Sequence, residues 1–289
     1  MTKVNIVMPS YNSEIYLDFA LNSVTQQTYS DVELLIFDGG SSDGSLKIIE
    51  SYRKKLKLRL VSEQDEGVND ACRKGFSAAD GKYLCHLCST DGYFDPNFIA
   101  TSVKFLESNT EYGAIFSSGA QELDENGKPI YQWRPWVRPF FKLIPQAWHK
   151  AIAVQHAVSF PDMGWLVKRD SFVELFPGPE DEAHYGQINP FLGFIKAIYS
   201  SNVKFAVLDQ ISSFGRRHPG QWGTRVAKES KASIADFKRL KFRRLLTFEL
   251  GWLSPLIRIW CALLFLFCFV VFGGPGYYLQ KITERFKRI

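Results

Sequence analysis

Apolar positions in the first third of the chain fall into two alternating periods. The short runs Val4–Met8, Val32–Phe37, Leu58–Val61 and Tyr83–Leu87 are apolar enough to be strands buried on both faces. Between them the spacing turns helical. Ile15, Leu17, Ala20, Leu21 and Val24 predict a helix from about Glu14 to Gln26, and Leu46, Ile48 and Ile49 a second, begun by Asp43 or Ser45 as N-cap. Val68–Ala78 and Pro96–Glu107 read the same way. Strand and helix in alternation predict an α/β fold with a mainly parallel sheet flanked by helices.

Polar turns stand where these strands end: Pro9-Ser10-Tyr11-Asn12, Asp38-Gly39-Gly40-Ser41-Ser42-Asp43-Gly44 and Cys88-Ser89-Thr90-Asp91-Gly92. Open α/β sheets take their ligands beyond the carboxyl ends of the strands, so turns recurring there outline a site. After Gly113–Phe116 the pattern loosens. Asn126-Gly127 predicts a hairpin, and residues from about Tyr131 to Ala153, rich in Trp, Pro and Arg, keep no period. That stretch is long for a bare connection, so it is either functional or holds an unplaced helix. Gly164–Val167 and Lys204–Leu208 resemble strands, Asp170–Leu175 a helical turn and Ile188–Tyr199 a helix.

The chain has 289 residues, 46% of them hydrophobic and 22% charged, ordinary for a globular protein. A formal net charge of +5 is too small to point to nucleic acid, and none is expected as a partner. Five cysteines make no disulfide framework; Cys85-x-x-Cys88 has redox or zinc spacing but lacks a second pair, and free thiols are the simpler reading. The start of the chain runs straight into the first strand, which predicts no signal peptide.

The last third differs. From Ser230 to Phe248, Lys231, Lys238, Arg239, Lys241, Arg243 and Arg244 alternate with apolar and aromatic residues, the composition of a helix lying on an anionic membrane. Ile259–Phe272 is wholly apolar, and the uncharged run continues through Gly273-Gly274-Pro275-Gly276 to Leu279. As helix the first 14 of these residues reach only ~21 Å, short of the ~30 Å hydrocarbon core. Basic residues flank both ends, so the positive-inside rule selects no orientation. A span and an in-plane anchor both fit, and the tail is expected to attach the protein to the cytoplasmic face of a membrane.

An acidic residue ending the second strand, Asp38, can accept hydrogen bonds from a nucleobase or ribose, and Pro9 and Tyr11 can offer apolar and ring contact. Dinucleotide-binding folds also carry such an acid, but they need Gly-x-Gly-x-x-Gly in the first turn, and Pro9–Glu14 has no glycine. A dehydrogenase is disfavoured. A nucleotidylyltransferase would want a Gly-rich basic loop at the same place, and that is missing too.

Ile6–Asn12, Ser23–Tyr29, Val32–Gly44, Asp65-Glu66-Gly67-Val68-Asn69-Asp70-Ala71 and Gly81–Leu84 resemble the family-2 inverting glycosyltransferases of GT-A fold. The resemblance is strong over roughly residues 3–107, continues weakly to about residue 222 and leaves the tail out. It implies a nucleotide-sugar donor half at 1–107, an acceptor half at 108–222 and a membrane-associating extension at 223–289. By position, Pro9, Tyr11 and Asp38 would hold the nucleobase, usually uracil. Asp65 and Asp70 would line the nucleotide and sugar, although Asp70 equally suits a first-turn partner of the helix dipole. Asp91 would hold Mg²⁺ or Mn²⁺ between diphosphate oxygens, and Arg216, Arg217 and His218 would close over the diphosphate.

Two places depart from the family pattern. Cys88-Ser89-Thr90-Asp91 keeps one carboxylate where relatives have two or three. The general-base position of the family aligns with the amides Gln187 or Asn189, which cannot take a proton; the nearest candidates are Asp181, Glu182 and His184, and the role is expected to fall to Asp181 or Glu182. The expected activity is transfer of a sugar from a nucleotide-diphosphosugar, UDP foremost, to a hydroxyl of a lipid-linked glycan acceptor in surface polysaccharide assembly. The rival reading is a non-catalytic nucleotide-sugar-binding scaffold at the membrane. Asp38 and Asp91 are expected to end neighbouring strands.

Overall fold

Strand and helix alternate as the periodicity predicts: β1 (Val4–Ser10), α1 (Glu14–Thr25), β2 (Val32–Asp38), α2 (Ser45–Ser51), β3 (Leu58–Ser62), α3 (Val68–Ala78) and β4 (Tyr83–His86). Then come β5 (Gly92–Tyr93), α4 (Phe98–Ser108), β6 (Tyr112–Leu123), β7 (Pro129–Trp133), α5 (Val137–Leu143), a 3₁₀ turn (Gln146–Trp148), β8 (Trp165–Lys168), α6 (Arg169–Val173), β9 (Lys204–Arg216) and α7 (Pro255–Val271). The computed structural model describes residues 2–133, 137–149, 163–173, 202–218 and 255–271. The helix expected at Ile188–Tyr199 and the basic helix at Ser230–Phe248 lie outside the described residues.

All the described strands join one sheet in the order β3-β2-β1-β4-β8-β6-β9-β5, with β7 hydrogen-bonded to β6. β3, β2, β1 and β4 are parallel, as expected. β6 and β9 are parallel as well, and the antiparallel strands among the rest refine the expected mainly parallel sheet to a mixed one. β8 runs antiparallel between β4 and β6, β7 is antiparallel to β6, and β5 is antiparallel to β9. Apolar periodicity identifies a strand but carries no information on its direction, and β8 arrives from far along the chain.

Alternation along each strand divides the core. Ile6, Met8, Leu34, Ile36, Cys85, Ile115, Leu166 and Ala206 face α1, α2 and α4, which bring Leu17, Leu21, Ile49, Phe98 and Val103. Val7, Leu35, Phe37, Leu84, Phe116, Trp165 and Phe205 face the opposite way, against Phe76 of α3, Phe140 and Phe141 of α5 and Phe172 of α6. Both sets are nearly fully buried; β3, expected to be buried on both faces, is instead only partly buried because it is the edge strand. α3 lies especially close to β1: a Cβ on Gly75 would sit 2.4 Å from Val7 Cγ1.

Four details refine the sequence reading. The hairpin at Asn126-Gly127 joins β6 to β7, its turn held by Asp124 Oδ1, which accepts the N–H groups of Asn126 and Lys128 at 3.0 and 2.8 Å. The unplaced helix is α5. β9 extends well beyond Leu208 because its later residues Ser212 and Ser213 are buried polar groups, which hide a strand from a hydropathy reading; Ser212 Oγ pairs with Ser117 Oγ at 2.6 Å. The apolar tail appears as α7, and no helix among the described residues is long and apolar enough to cross a membrane.

Candidate active site

From β1 the chain moves outward through β2 to β3, then returns to β4 on the other side of β1. Such a reversal opens a crevice at the carboxyl ends of the two strands, the usual ligand position in open α/β sheets. Here the turns around it are tied together. Ser13 Oγ, after β1, pairs with Ser89 Oγ, after β4, at 2.7 Å, and the Ser13 N–H donates to Ser45 Oγ at 2.8 Å. The Gly39 N–H donates to the Ser10 carbonyl at 2.9 Å. Asn12 takes a left-handed conformation (φ 44°), open to Asn at modest cost. In that pose its N–H donates to Ser41 Oγ and its Oδ1 accepts the Ser42 N–H.

Asp38 ends β2 and is 2% exposed. Its Oδ1 accepts Ser41 Oγ at 2.5 Å, and its Oδ2 accepts the Ser41 N–H and Ser62 Oγ, each at 2.8 Å. Asp65 accepts the Gly67 N–H at 2.8 Å and overhangs the Asp38 turn, so a Cβ on Gly39 would lie 2.9 Å from Asp65 Oδ2. Pro9 is buried in β1, whereas Tyr11 is 64% exposed at the rim. Asp43 is no N-cap: Gly44 holds that position, and the Asp43 carboxylate instead accepts the Ser45 and Glu14 N–H groups. Burial acts to raise its pKa, but those hydrogen bonds prevail and hold it low.

Asp70 is engaged by its own helix. Arg73 and Lys74 reach it at 2.6 and 3.1 Å. Burial pushes its pKa up, and the hydrogen bonds from Lys74, the Glu66 N–H and Arg73 more than offset that. Of its two sequence readings, this geometry fits the first-turn carboxylate.

Asp91 lies in the turn between β4 and β5, 7% exposed, and its Oδ1 accepts the Arg216 main-chain N–H at 2.8 Å. It does not end a strand adjoining that of Asp38, because β1 lies between β2 and β4. The expectation of neighbouring strands is therefore corrected: the two acids flank β1.

The late basic triplet is divided among three environments. Arg216 is 1% exposed. Its Nη1 donates to the Asp124 and Glu125 carbonyls at 3.3 and 3.2 Å, and its guanidinium stacks over Tyr16 and Phe19, 5.0 and 4.7 Å from their ring centroids. Arg217 forms an ion pair with Glu122 of β6. The His218 ring packs 4.9 Å from Tyr16, and burial, then the Arg216 charge, lower its pKa. The three residues expected to close over a diphosphate thus have separate neighbours here: Arg216 the rings of α1, Arg217 Glu122 and His218 Tyr16. Alternation at the end of β9 turns Arg216 inward and Arg217 toward Glu122.

Among the described residues no three His, Cys, Asp or Glu side chains gather as metal ligands. Asp91 fits a cation that takes most of its shell from a substrate, as Mg²⁺ commonly does with one carboxylate and phosphate oxygens. The Cys85 thiol is buried, and burial pushes its pKa up to about 12, which suits a packed core thiol. Asp181 and Glu182 lie outside the described residues. The serines escaped the sequence reading: Ser10, Ser13, Ser41, Ser62 and Ser89 line the crevice, and Ser10 Oγ is buried without a partner. Their recurrence at strand ends was the available signal.

Residues 5–174 match the family described as Glycosyl transferase family 2. Among curated proteins, the putative glycosyltransferase EpsH of Bacillus subtilis (strain 168) is 26% identical over 178 residues, covering 56% of this chain and 52% of that protein. The chain thus spans about half the length of that relative. Among solved structures, S. aureus TarS 1-349 in complex with UDP-GlcNAc matches with a TM-score of 0.55 at 19% identity, over 77% of this chain and 60% of that one. The mannosyltransferase PcManGT from Pyrobaculum calidifontis, in complex with GDP-Man and Mn²⁺, matches with a TM-score of 0.57 at 17% identity, over 100% of this chain and 81% of that one. At such identities the structural matches establish a shared fold, the GT-A α/β fold.

Proposed function

The chain belongs to glycosyl transferase family 2, and from that premise we propose that it moves a sugar from a nucleoside diphosphate, UDP foremost, to an acceptor hydroxyl with inversion at the anomeric carbon. The observation that carries this reading is that the turns after β1 and β4 are tied together at the carboxyl ends of parallel strands, with the buried carboxylates Asp38 and Asp91 held beside them by hydrogen bonds.

Asp38 takes the nucleobase. A carboxylate offers about four acceptor positions; its own turn and Ser62 use three, which leaves one for a base N–H. Tyr11 supplies a ring at the rim, and Asp65 borders the ribose and sugar. Asp91 faces the diphosphate and would hold a divalent cation there; when bound, that cation offsets charge on the leaving diphosphate. The Mn²⁺ of the PcManGT complex supports a metal of this kind. Asp181 or Glu182 takes the proton of the acceptor hydroxyl as its oxygen bonds to the anomeric carbon and the bond to the diphosphate breaks. The acceptor is a lipid-linked glycan of surface polysaccharide assembly, reached from the cytoplasmic face of the membrane through the C-terminal segment, which the basic and apolar composition of residues 230–289 supports.

The test is a thermal-shift screen of UDP-, GDP- and dTDP-sugars with and without Mn²⁺, followed by transfer assays with membrane extract. One donor family should stabilise the wild type, and Asp38→Ala and Asp91→Ala should abolish that shift. A shift without turnover would favour the scaffold reading, to which the single carboxylate of Cys88–Asp91 lends support.

A further inference from the structure

α7 has two unlike sides. On one, Cys268 is fully buried, Leu264 and Phe265 are partly buried, and the Phe265 ring meets Phe140 of α5 edge-on at 5.1 Å. On the other, Ile259, Trp260, Leu263, Leu266, Val270 and Val271 are each 47–62% exposed. At about 100° per residue these six fall within an arc of roughly 140°. Leu143 of α5 adds a further exposed apolar side chain, at 55%. A continuous apolar strip of this kind marks a surface that meets something other than water.

Docking separates the ways such a helix could meet a bilayer. The inner side of α7 is held against α5 in the half nearer Val271, so a crossing would have to carry part of the domain into the bilayer. Charge selects the occupant. From Leu250 to Thr283 the sequence has no Asp or Glu, while Arg243 and Arg244 precede α7 and Lys281, Arg285, Lys287 and Arg288 follow it. A strip of apolar side chains with basic residues at both ends complements an anionic headgroup layer over an acyl interior.

We propose that α7 is a monotopic anchor: it lies in the plane of an anionic leaflet, its outer strip at the headgroup–acyl boundary and its inner side clamped to α5. This deepens the membrane attachment proposed above and is independent of donor chemistry. The crevice then stands at a fixed height and tilt over the leaflet, because the helix in the lipid packs on the same core as the sheet.

The full chain is tested by flotation with phosphatidylcholine vesicles with and without phosphatidylglycerol. Capture should need the anionic lipid. Leu263→Glu combined with Val270→Glu should weaken it by about tenfold or more, and the milder Leu263→Ala with Val270→Ala should weaken it less. Capture unchanged in the glutamate variant overturns the proposal. So does a wild-type dimer that the variant splits while vesicle capture persists, which would assign the strip to a second copy. Trypsin added outside intact vesicles should cut at both basic clusters, before and after α7. Protection of the later cluster until detergent is added would mean a span and would overturn the in-plane geometry. A chain that floats through α7 but shifts with no donor keeps this proposal and sinks the transfer reading.

Discussion

The main-chain N–H of Arg216, at the end of β9, donates a 2.8 Å hydrogen bond to Oδ1 of Asp91, in the turn after β4. The acid closest to the expected diphosphate is therefore aimed by a strand from the other end of the sheet. The Arg216 side chain anchors that strand in turn, between Tyr16 and Phe19 of α1.

Asp91→Asn separates the two duties of this residue. The amide oxygen still accepts the Arg216 N–H, so stability should change by less than about 1 kcal/mol. The charge is gone, and kcat/KM for transfer should fall about 10²- to 10³-fold. Turnover within threefold of the wild type would reduce Asp91 to a structural staple.

Asp38 and Ser62 are distinguished by what each leaves behind. Asp38→Ala strands the Ser41 and Ser62 hydroxyls and the Ser41 N–H, for a loss of about 2–4 kcal/mol and of donor binding. Ser62→Ala removes one of three donors and should cost about 1 kcal/mol with donor affinity retained. Urea denaturation and a donor titration on both variants measure the split.

Arg216→Ala should destabilise the fold by about 2–4 kcal/mol, through two ring contacts and two part-buried hydrogen bonds to the Asp124 and Glu125 carbonyls. Arg217→Ala removes a part-exposed ion pair with Glu122 and should cost less than about 1 kcal/mol. If instead Arg217→Ala proved the more destabilising, the inward placement of Arg216 would be wrong.

Acid should weaken the fold through two buried histidines. Burial lowers His86 to about 3 and His149 to about 4. Val207 N–H donates to His149 Nδ1 at 2.9 Å, so Nε2 carries the proton toward the Phe141 carbonyl at 3.0 Å. Each ring binds fewer protons folded than unfolded. Stability is complete above about pH 6.5 and drops as pH falls toward 4, by up to ~1.4 kcal/mol per pH unit per ring. Melting between pH 8 and 5 should show this slope, and His86→Phe, which suits the ring cluster of Phe76 and Trp165, should make it shallower by about one proton.

The local layout around the candidate residues was legible in the chain: Asp38 ends β2, Pro9 is near the end of β1 and Asp91 is in the turn after β4, since turn chemistry is local and four parallel strands need only their apolar runs to be recognised. The division of the basic triplet was not legible. Whether Arg216 or Arg217 turns inward depends on the parity of β9, and the buried serines Ser212 and Ser213 conceal that strand's length. The α5 helix was equally hidden, because an aromatic-rich stretch loses its period when both Phe140 and Phe141 are buried.

Elements, their order and the polar turns at their ends follow from the chain alone, because backbone preference and apolar spacing act over a few residues. Which strands lie side by side, that β1 separates Asp38 from Asp91, and which side of α7 is left uncovered were decided only in three dimensions. Those outcomes rest on pairings between segments distant in sequence, from Val4 with Tyr83 to Asp91 with Arg216 and Phe140 with Phe265, and no local pattern encodes the partner of a distant segment.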